Sequence, residues 1–402
     1  MTARIEPSLL ARMTERRVLR VLQTHGPLSR AEVARHADLS PPAVSRAVAA
    51  LLRSGLLEEN AVLQQTGGRP ATRLRLASQA AQVLGLVIDA DRCLVVAAGL
   101  DGDLRDAPLD FPTPDTYPDL LAELARHARR LMDRPGVATL GAGLSVPGLI
   151  DYRTQAGVLS PNVPFTDGHH PALDLGRALG VECVLLQESH ALCLAEQHYG
   201  QARGLDDFAM LDVHTGVGLG VVSGGRLLTG RCGMAGELGH ITVVPDGRRC
   251  GCGNVGCLET VANDSSLAWR VSRRLGRPVD IEQVIRLARS GAADLSADLD
   301  DVCRYLAVGV AAVINLFNPS CLFVHGRLFE ADDGLFARLI DRASRRALGP
   351  PFAACRVVRA TGQKHHGAVA GVIQHLTSAI APALESRTLC FHAEVPDALP
   401  TL

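Results

Sequence analysis

The sequence predicts an N-terminal, largely helical winged helix-turn-helix head followed by a C-terminal duplicated, two-lobed α/β body. Three observations carry this fold class: three capped helical patterns with a strand pair behind them in residues 1–79, one strand-turn-strand plan written twice in residues 80–402, and a length of 402 residues with 47% hydrophobic content, enough to bury more than one core. The lobes of the body are expected to span about residues 80–200 and 201–402.

In the head, residues 9–22 place Leu10, Val18, Leu19, Val21 and Leu22 on one helical face. "SRAEVARHA" opens with Ser29-x-x-Glu32, whose side chains can cap each other's backbone NH groups. The third helix begins "SPPAVSRAVAALLRSG". Ser40 serves as N-cap, Pro41 suits a first position whose NH would be unpaired anyway, and Gly55 ends the helix. Val44, Val48, Leu51 and Leu52 form its buried stripe, which leaves Pro42, Ser45, Arg46 and Ala49 facing out. The linker "ADLS" is short enough to force a steep crossing, the arrangement that seats the second helix of the pair in the major groove. "LLEENAVLQQTGGRPATRLRLA" then reads as strand, turn and strand, with Gly67-Gly68-Arg69-Pro70 at the tip and Arg73 and Arg75 on one face. An arginine at a glycine-rich tip can enter a narrow minor groove. Pro42, Ser45, Arg46, Arg69 and Arg73 are therefore the candidate DNA contacts, and a double-stranded operator is the expected partner.

Charge agrees with that assignment. Residues 1–79 hold twelve arginines against six acidic residues, while the whole chain carries a net charge of -1, so the head favours a polyanion and the remainder does not. The alternative for such a basic bundle, docking to another protein, explains the charge but not the helix order, caps and wing together. The first residues are charged rather than signal-like, and the longest apolar run, residues 306–317, falls short of the ~18 residues of a membrane span. A soluble, cytoplasmic protein without a membrane partner is expected. Eleven cysteines spread over this length do not make a secreted disulfide framework, and Cys93 and Cys321, set in apolar runs, read as small core residues. Lys364 is the only lysine, and nothing around it in the sequence suggests a role.

In the body, "VLGLVIDADRCLVVAAGLDGDL" and "FAMLDVHTGVGLGVVSGGRLL" each run as an apolar strand ending in an Asp (Asp89, Asp212), a turn, a second apolar strand and a second turn. Two such lobes, interleaved with helices such as residues 120–132, imply a cleft between them, a favoured place for ligands. Five stretches are assigned to that cleft: "GAGLSVPGLID", "SPNVPF", "QESHALCLAE", "GMAGELGHITVVPDG" and the cysteine loop "RRCGCGNVGCLE".

Together these stretches resemble the transcriptional regulators of the ROK family (repressors, open reading frames and kinases), in which a winged helix-turn-helix is fused to a sugar-kinase-like body. The resemblance runs from about Leu9 to about His375 and is strongest between Gly141 and Glu259. It implies an actin-like, ribonuclease H-like sugar-kinase fold for the two lobes. It also implies a Zn²⁺ ion held by His240, Cys250, Cys252 and Cys257. Three thiolates and an imidazole fill a tetrahedron and leave no open position to activate water, so the metal would be structural, and Gly251, Gly253 and Gly256 let the loop fold tightly around it. By the same resemblance Asn162, Glu237, His240 and Glu259 line a sugar pocket, with Glu188 able to add a hydrogen bond. The alternatives are three reduced thiols without metal and a solvent-exposed role for Glu237 and Glu259.

Two segments depart from the kinases of that family. Their D-x-G-x-T phosphate turn is here Asp89-Ala90-Asp91-Arg92-Cys93, with an aspartate where glycine would admit phosphate, and the second turn has His214 ahead of Thr215, Gly216, Gly218 and Gly220. Their Asn-Asp-x-Asn segment, whose Asp is the general base, is here Gln187-Glu188-Ser189-His190. Glu188 moves the carboxylate by about a bond length, a displacement general-base geometry tolerates poorly, and His190 is expected to enlarge the pocket wall. No catalytic residue is expected to act. The expected function is a sequence-specific transcriptional regulator, most simply a repressor, that senses a sugar or sugar derivative without phosphorylating it and works as a symmetric homodimer or homotetramer. Two rivals stand beside it: an active ATP-dependent sugar kinase with a DNA-binding appendage, and a regulator controlled by a protein partner.

Overall fold

The computed structural model describes residues 7–62 and 71–379. The chain divides into two compact units, one built on the residues up to Leu76 together with those from Gln374 on, the other Ala77–Ile373.

The first unit contains α1 (Pro7–His25), α2 (Arg30–Ala37) and α3 (Pro41–Arg53), then the antiparallel pair β1 (Leu57–Val62) and β2 (Ala71–Leu76). Its core is the expected set of apolar faces, with Val18, Leu19, Val33, Val44, Val48 and Leu51 buried; Leu52, assigned to the same stripe, is only half-buried. The cap at Ser29 is reciprocal: Ser29 N donates to Glu32 Oε2 at 2.7 Å, and Glu32 N donates to Ser29 Oγ at 3.3 Å. Ser40 occupies the N-cap position of α3 but makes no side-chain cap bond. Pro42 has no NH to offer, and the NH of Ala43 already donates to the Ser40 carbonyl at 3.0 Å. The turn between α2 and α3 is made by Asp38 in the left-handed region at φ 49°. A feature the sequence did not suggest is that Leu28 and Leu74 exchange both backbone hydrogen bonds, at 3.0 and 2.7 Å, so the residue ahead of α2 is tied to the wing. The wing tip with Arg69 lies outside the described residues.

The second unit runs β3 (Ala81–Val87), β4 (Arg92–Ala98), β5 (Leu109–Pro112), α4 (Tyr117–Met132), β6 (Ala138–Val146), β7 (Leu149–Asp151), β8 (Ala156–Leu159), α5 (Pro171–Leu179), β9 (Cys183–Gln187) and α6 (Glu188–His198). The plan is then repeated with β10 (Phe208–Asp212), β11 (Gly218–Ser223), β12 (Arg226–Leu227), α7 (Asp264–Leu275), α8 (Ile281–Ser290), α9 (Ser296–Phe317), β13 (Cys321–His325), α10 (Leu335–Ser344), α11 (Gly349–Ala354), β14 (Arg356–Arg359) and the part up to Ile373 of α12 (Lys364–Ala379). The sheets have strand orders β5-β4-β3-β6-β9 and β12-β11-β10-β13-β14. In each, the first strand pairs antiparallel with the second and parallel with the fourth, so the duplication read from the strand motifs extends to the whole topology. Among the described residues no helix is long and apolar enough to cross a membrane. Cys93 and Cys321 are core residues, as their apolar settings suggested.

One helix departs from the division at residue 200. The beginning of α12 returns to the first sheet, where a Cβ placed on Gly143 of β6 would stand 1.9 Å from the Ala368 carbonyl oxygen. On its other side α12 meets α6, a Cβ on Gly367 lying 1.8 Å from the Ala191 carbonyl oxygen, and α6 in turn meets β11, where a Cβ on Gly220 would lie 2.7 Å from the Ser189 carbonyl oxygen. Two helices are thus layered between two sheets at backbone contact distance, which only glycine permits. Gly143→Ala should therefore destabilise the chain by about 3 kcal/mol or more, since the obstacle is backbone rather than a movable side chain; denaturant unfolding followed by circular dichroism measures it.

Candidate functional site

On the head, Pro42, Ser45 and Arg46 are exposed along α3, as amphipathicity requires once Val44 and Val48 are buried. Arg73 is exposed on β2, opposite Asn60 in the register. Arg75, two residues on, is drawn into an ion pair with Glu58 at 3.2 Å, and Arg30 of α2 pairs with Glu59 at 2.6 Å. Arg46 and Arg73 are exposed, whereas Arg75 and Arg30 are engaged by Glu58 and Glu59.

In the body, the cysteine loop folds back on the segment containing His240. Isolated bridges join Thr242 to Cys257 and Arg249 to Val255, and Gly256, at φ 72°, passes so close to Val244 that a Cβ would stand 1.6 Å from its carbonyl oxygen. The ligand atoms of His240, Cys250, Cys252 and Cys257 all lie within 4.8 Å of one another. Tetrahedral zinc with ordinary Zn–S and Zn–N bonds has edges of about 3.8 Å between sulfurs and about 3.6 Å between sulfur and nitrogen. Cys252 Sγ and Cys257 Sγ are 3.8 Å apart, and Cys250 Sγ and His240 Nδ1 are 3.6 Å apart. The donor set suits a cation chemically as well. Burial pushes the Cys250 thiol up to about 12, and Cys257 is raised by burial and by the neighbouring Cys252, so a positive ion is what would ionise them. The cluster is compatible with a zinc site.

His240 faces both ways. Its Nδ1 meets Cys250, while Nε2 lies 3.6 Å from Glu237 Oε2. Glu259, two residues after Cys257, accepts the Val217 NH at 2.9 Å, and a Cβ on Gly216 would stand 2.7 Å from that carboxylate and 3.7 Å from Asn162 Nδ2. Burial, then the Glu259 and Glu188 carboxylates, push Glu237 up to about 7. Of the residues assigned to one pocket, Asn162 and Glu259 approach the turn at Gly216 and Glu237 lies beside His240, while Glu188 is held in the cluster around Lys364. His190 differs from expectation: it is buried, its Nδ1 lying 2.9 Å from the Tyr152 hydroxyl, rather than forming an open wall. The same hydroxyl accepts the Gln187 NH at 2.9 Å. Burial holds the ring neutral, its pKa down to about 4.

The residue that sequence reasoning missed is Lys364. Its Nζ donates to Asp89 Oδ2 at 2.8 Å and to Glu188 Oε2 at 2.6 Å, with Asp212 Oδ2 at 3.8 Å. Asp89 follows the end of β3, Glu188 follows β9 and Asp212 closes β10, so carboxyl ends of strands from both sheets converge on one ammonium. That is where open α/β sheets bind ligands. Burial disfavours the ammonium, but Glu188, Asp89 and Asp212 outweigh it and raise its pKa well above the ordinary value. Glu188 moves up to about 7, through burial first, with Lys364 opposing and Asp212 and Asp89 reinforcing; Asp212 is held low, Lys364 and His325 overcoming its burial. His325 Nδ1 lies 2.8 Å from Asp212 Oδ1. A cavity of about 470 Å³ opens beside this cluster, lined by Asp89, His214, His325, Arg359 and Lys364 among others. The available signal was that a lone lysine begins a helix, where the macrodipole disfavours positive charge.

Comparison with known proteins agrees with this architecture. Residues 94–377 match the ROK family and residues 14–58 match a winged helix-turn-helix DNA-binding family. The chain is 28% identical to the Escherichia coli K12 DNA-binding transcriptional dual regulator NagC, covering 85% of this chain and 86% of the relative. It is 29% identical to the DNA-binding transcriptional repressor Mlc of the same strain, covering 88% and 90%. Among solved structures, a ROK family transcriptional regulator homologous to the E. coli Mlc protein superposes with a TM-score of 0.78 at 25% identity, covering 92% of this chain and 98% of that one. A ROK hexokinase from Thermus thermophilus superposes with a TM-score of 0.62 at 30% identity over 74% of this chain and 99% of that one. The winged helical head, the twofold-repeated body and the three-cysteine, one-histidine cluster have one common explanation: this chain belongs to the ROK family, on its DNA-binding, transcription-regulating side.

Proposed function

We propose that this protein is a cytoplasmic repressor that binds operator DNA through α3 and the wing, binds a sugar or sugar derivative in its body, and does not phosphorylate it. The observation that carries the second half is the ion pair between Glu188 and Lys364 at 2.6 Å. A general base must be free to take the proton of the attacking hydroxyl, and a carboxylate already bound to a buried ammonium is not. Ala90 and Asp91 add to this, since the phosphate turn offers no glycine for close approach of a phosphate. Burial, which pushes Glu188 up to about 7, favours the rival kinase, because a base works best near the operating pH.

The sugar is read by Asn162, Glu188, Glu237, His240 and Glu259, whose carboxylates suit vicinal hydroxyls. His240, Cys250, Cys252 and Cys257 hold a structural Zn²⁺, which supplies cohesion between the loop and the segment bearing Glu237 and no open coordination position. Pro42, Ser45, Arg46, Arg73 and, at the wing tip, Arg69 contact DNA, with the protein acting as a homodimer or homotetramer on paired half-sites. Occupancy of the pocket shifts the equilibrium between DNA-binding and released states; moving that balance from 1:99 to 99:1 requires a preference of about 10⁴-fold, or ~5.5 kcal/mol.

Incubation with ATP, Mg²⁺ and a panel of hexoses should give no turnover, while calorimetry finds saturable binding of one of them; turnover at ordinary kinase rates would make the protein an enzyme. Cys252→Ala should release zinc by elemental analysis and lower the melting temperature, and retention of both at wild-type values would remove the cluster from the fold's support. Arg46→Ala should weaken operator binding by ~1 to 3 kcal/mol if the side chain reads a base edge, with a smaller, salt-sensitive loss if it meets phosphate only, measured by fluorescence anisotropy at two salt concentrations.

A further inference from the structure

We propose that Lys364 is a tethered cation that holds the place of a divalent metal ion among Asp89, Glu188 and Asp212, and so closes the body to metal-bound phosphate ligands. This deepens the non-phosphorylating reading above, resting on it for its functional meaning but not for the cation exchange itself. Three carboxylates from three strand ends are hard oxygen donors of the type that hold Mg²⁺ or Mn²⁺. What occupies them here is the ammonium, at 2.8, 2.6 and 3.8 Å, with only 11% of the lysine side chain exposed. Phosphate ligands carried by a divalent ion need that ion at the reacting oxygens, and two cations cannot share one small cage.

The lysine is placed rather than merely attracted. Ahead of it, the Glu196 carboxylate, itself fully buried, accepts from the backbone NH groups of Thr361 and Gly362, the latter at 2.7 Å. Behind it, Gly367 presses on the backbone of α6. Both flanks are therefore fixed to the helix that carries Glu188, so the backbone that bears the lysine is anchored beside the cage. Its charge is also the wrong sign for the first turn of α12, a local conflict that the three carboxylates compensate. His214 and His325 flank the cluster, and the adjoining cavity of about 470 Å³ gives a small ion a route to it.

The test uses the full-length, zinc-loaded protein and Mn²⁺ alone, followed by the electron paramagnetic resonance of the free ion. The sulfur-rich zinc cluster does not compete, since Mn²⁺ prefers oxygen donors. Wild type should leave Mn²⁺ free, whereas Lys364→Met should take up one ion per chain with an affinity at least about tenfold higher, displaceable by Mg²⁺. A folded Lys364→Met protein that binds no more Mn²⁺ than wild type overturns the proposal. Should that variant fail to fold, Lys364→Met combined with Glu188→Gln carries one fewer uncompensated charge; its melting temperature should rise with Mn²⁺ while that of wild type stays put, and no rise again overturns it. Hexose phosphorylation by wild type would sink the reading above while leaving the Mn²⁺ result to stand or fall separately.

Discussion

The ammonium of Lys364 is the point on which both halves of the body converge. It meets one carboxylate beyond the end of β3, one at the start of α6 and one at the end of β10, so the ends of two sheets share a single counter-charge. Buried ion pairs of this kind add little to stability compared with well-packed apolar groups, yet losing one partner costs ~3–5 kcal/mol because the remaining charges are left uncompensated. The consequence is positional. Asp89, Glu188 and Asp212 are gathered around one ammonium.

The candidate pocket is held from two sides. On one side the cysteine loop ties His240 and Glu259 together, and Glu237 lies within reach of the imidazole. On the other, the lysine cluster fixes Glu188. These carboxylates are supported by elements that come from distant parts of the chain.

Features legible in the sequence were the local ones. The Ser29–Glu32 cap, the apolar stripe of α3, the repeated strand-turn-strand motif and the spacing of Cys250, Cys252 and Cys257 each depend on residues within a few positions of one another, and the structure bears them out. Local reasoning failed where a distant partner decided the outcome. Lys364 and Asp89 are 275 residues apart, and no periodicity connects them. The pairing of Leu28 with Leu74 and the return of α12 to the first sheet are long-range in the same way. Ser40 shows the opposite failure, a correct boundary with the wrong bond, because Pro42 offers no NH and the NH of Ala43 is taken by the Ser40 carbonyl.

The glycine contacts between the layers carry a mechanical implication. Where side chains interlock, a small displacement is absorbed by rotamer changes; where Gly143 and Gly367 bring main chain against main chain, there is nothing soft to absorb it. The stack behaves as meshed gears instead of cushioned plates, and any sliding of α6 against its sheet has to be matched at once by α12.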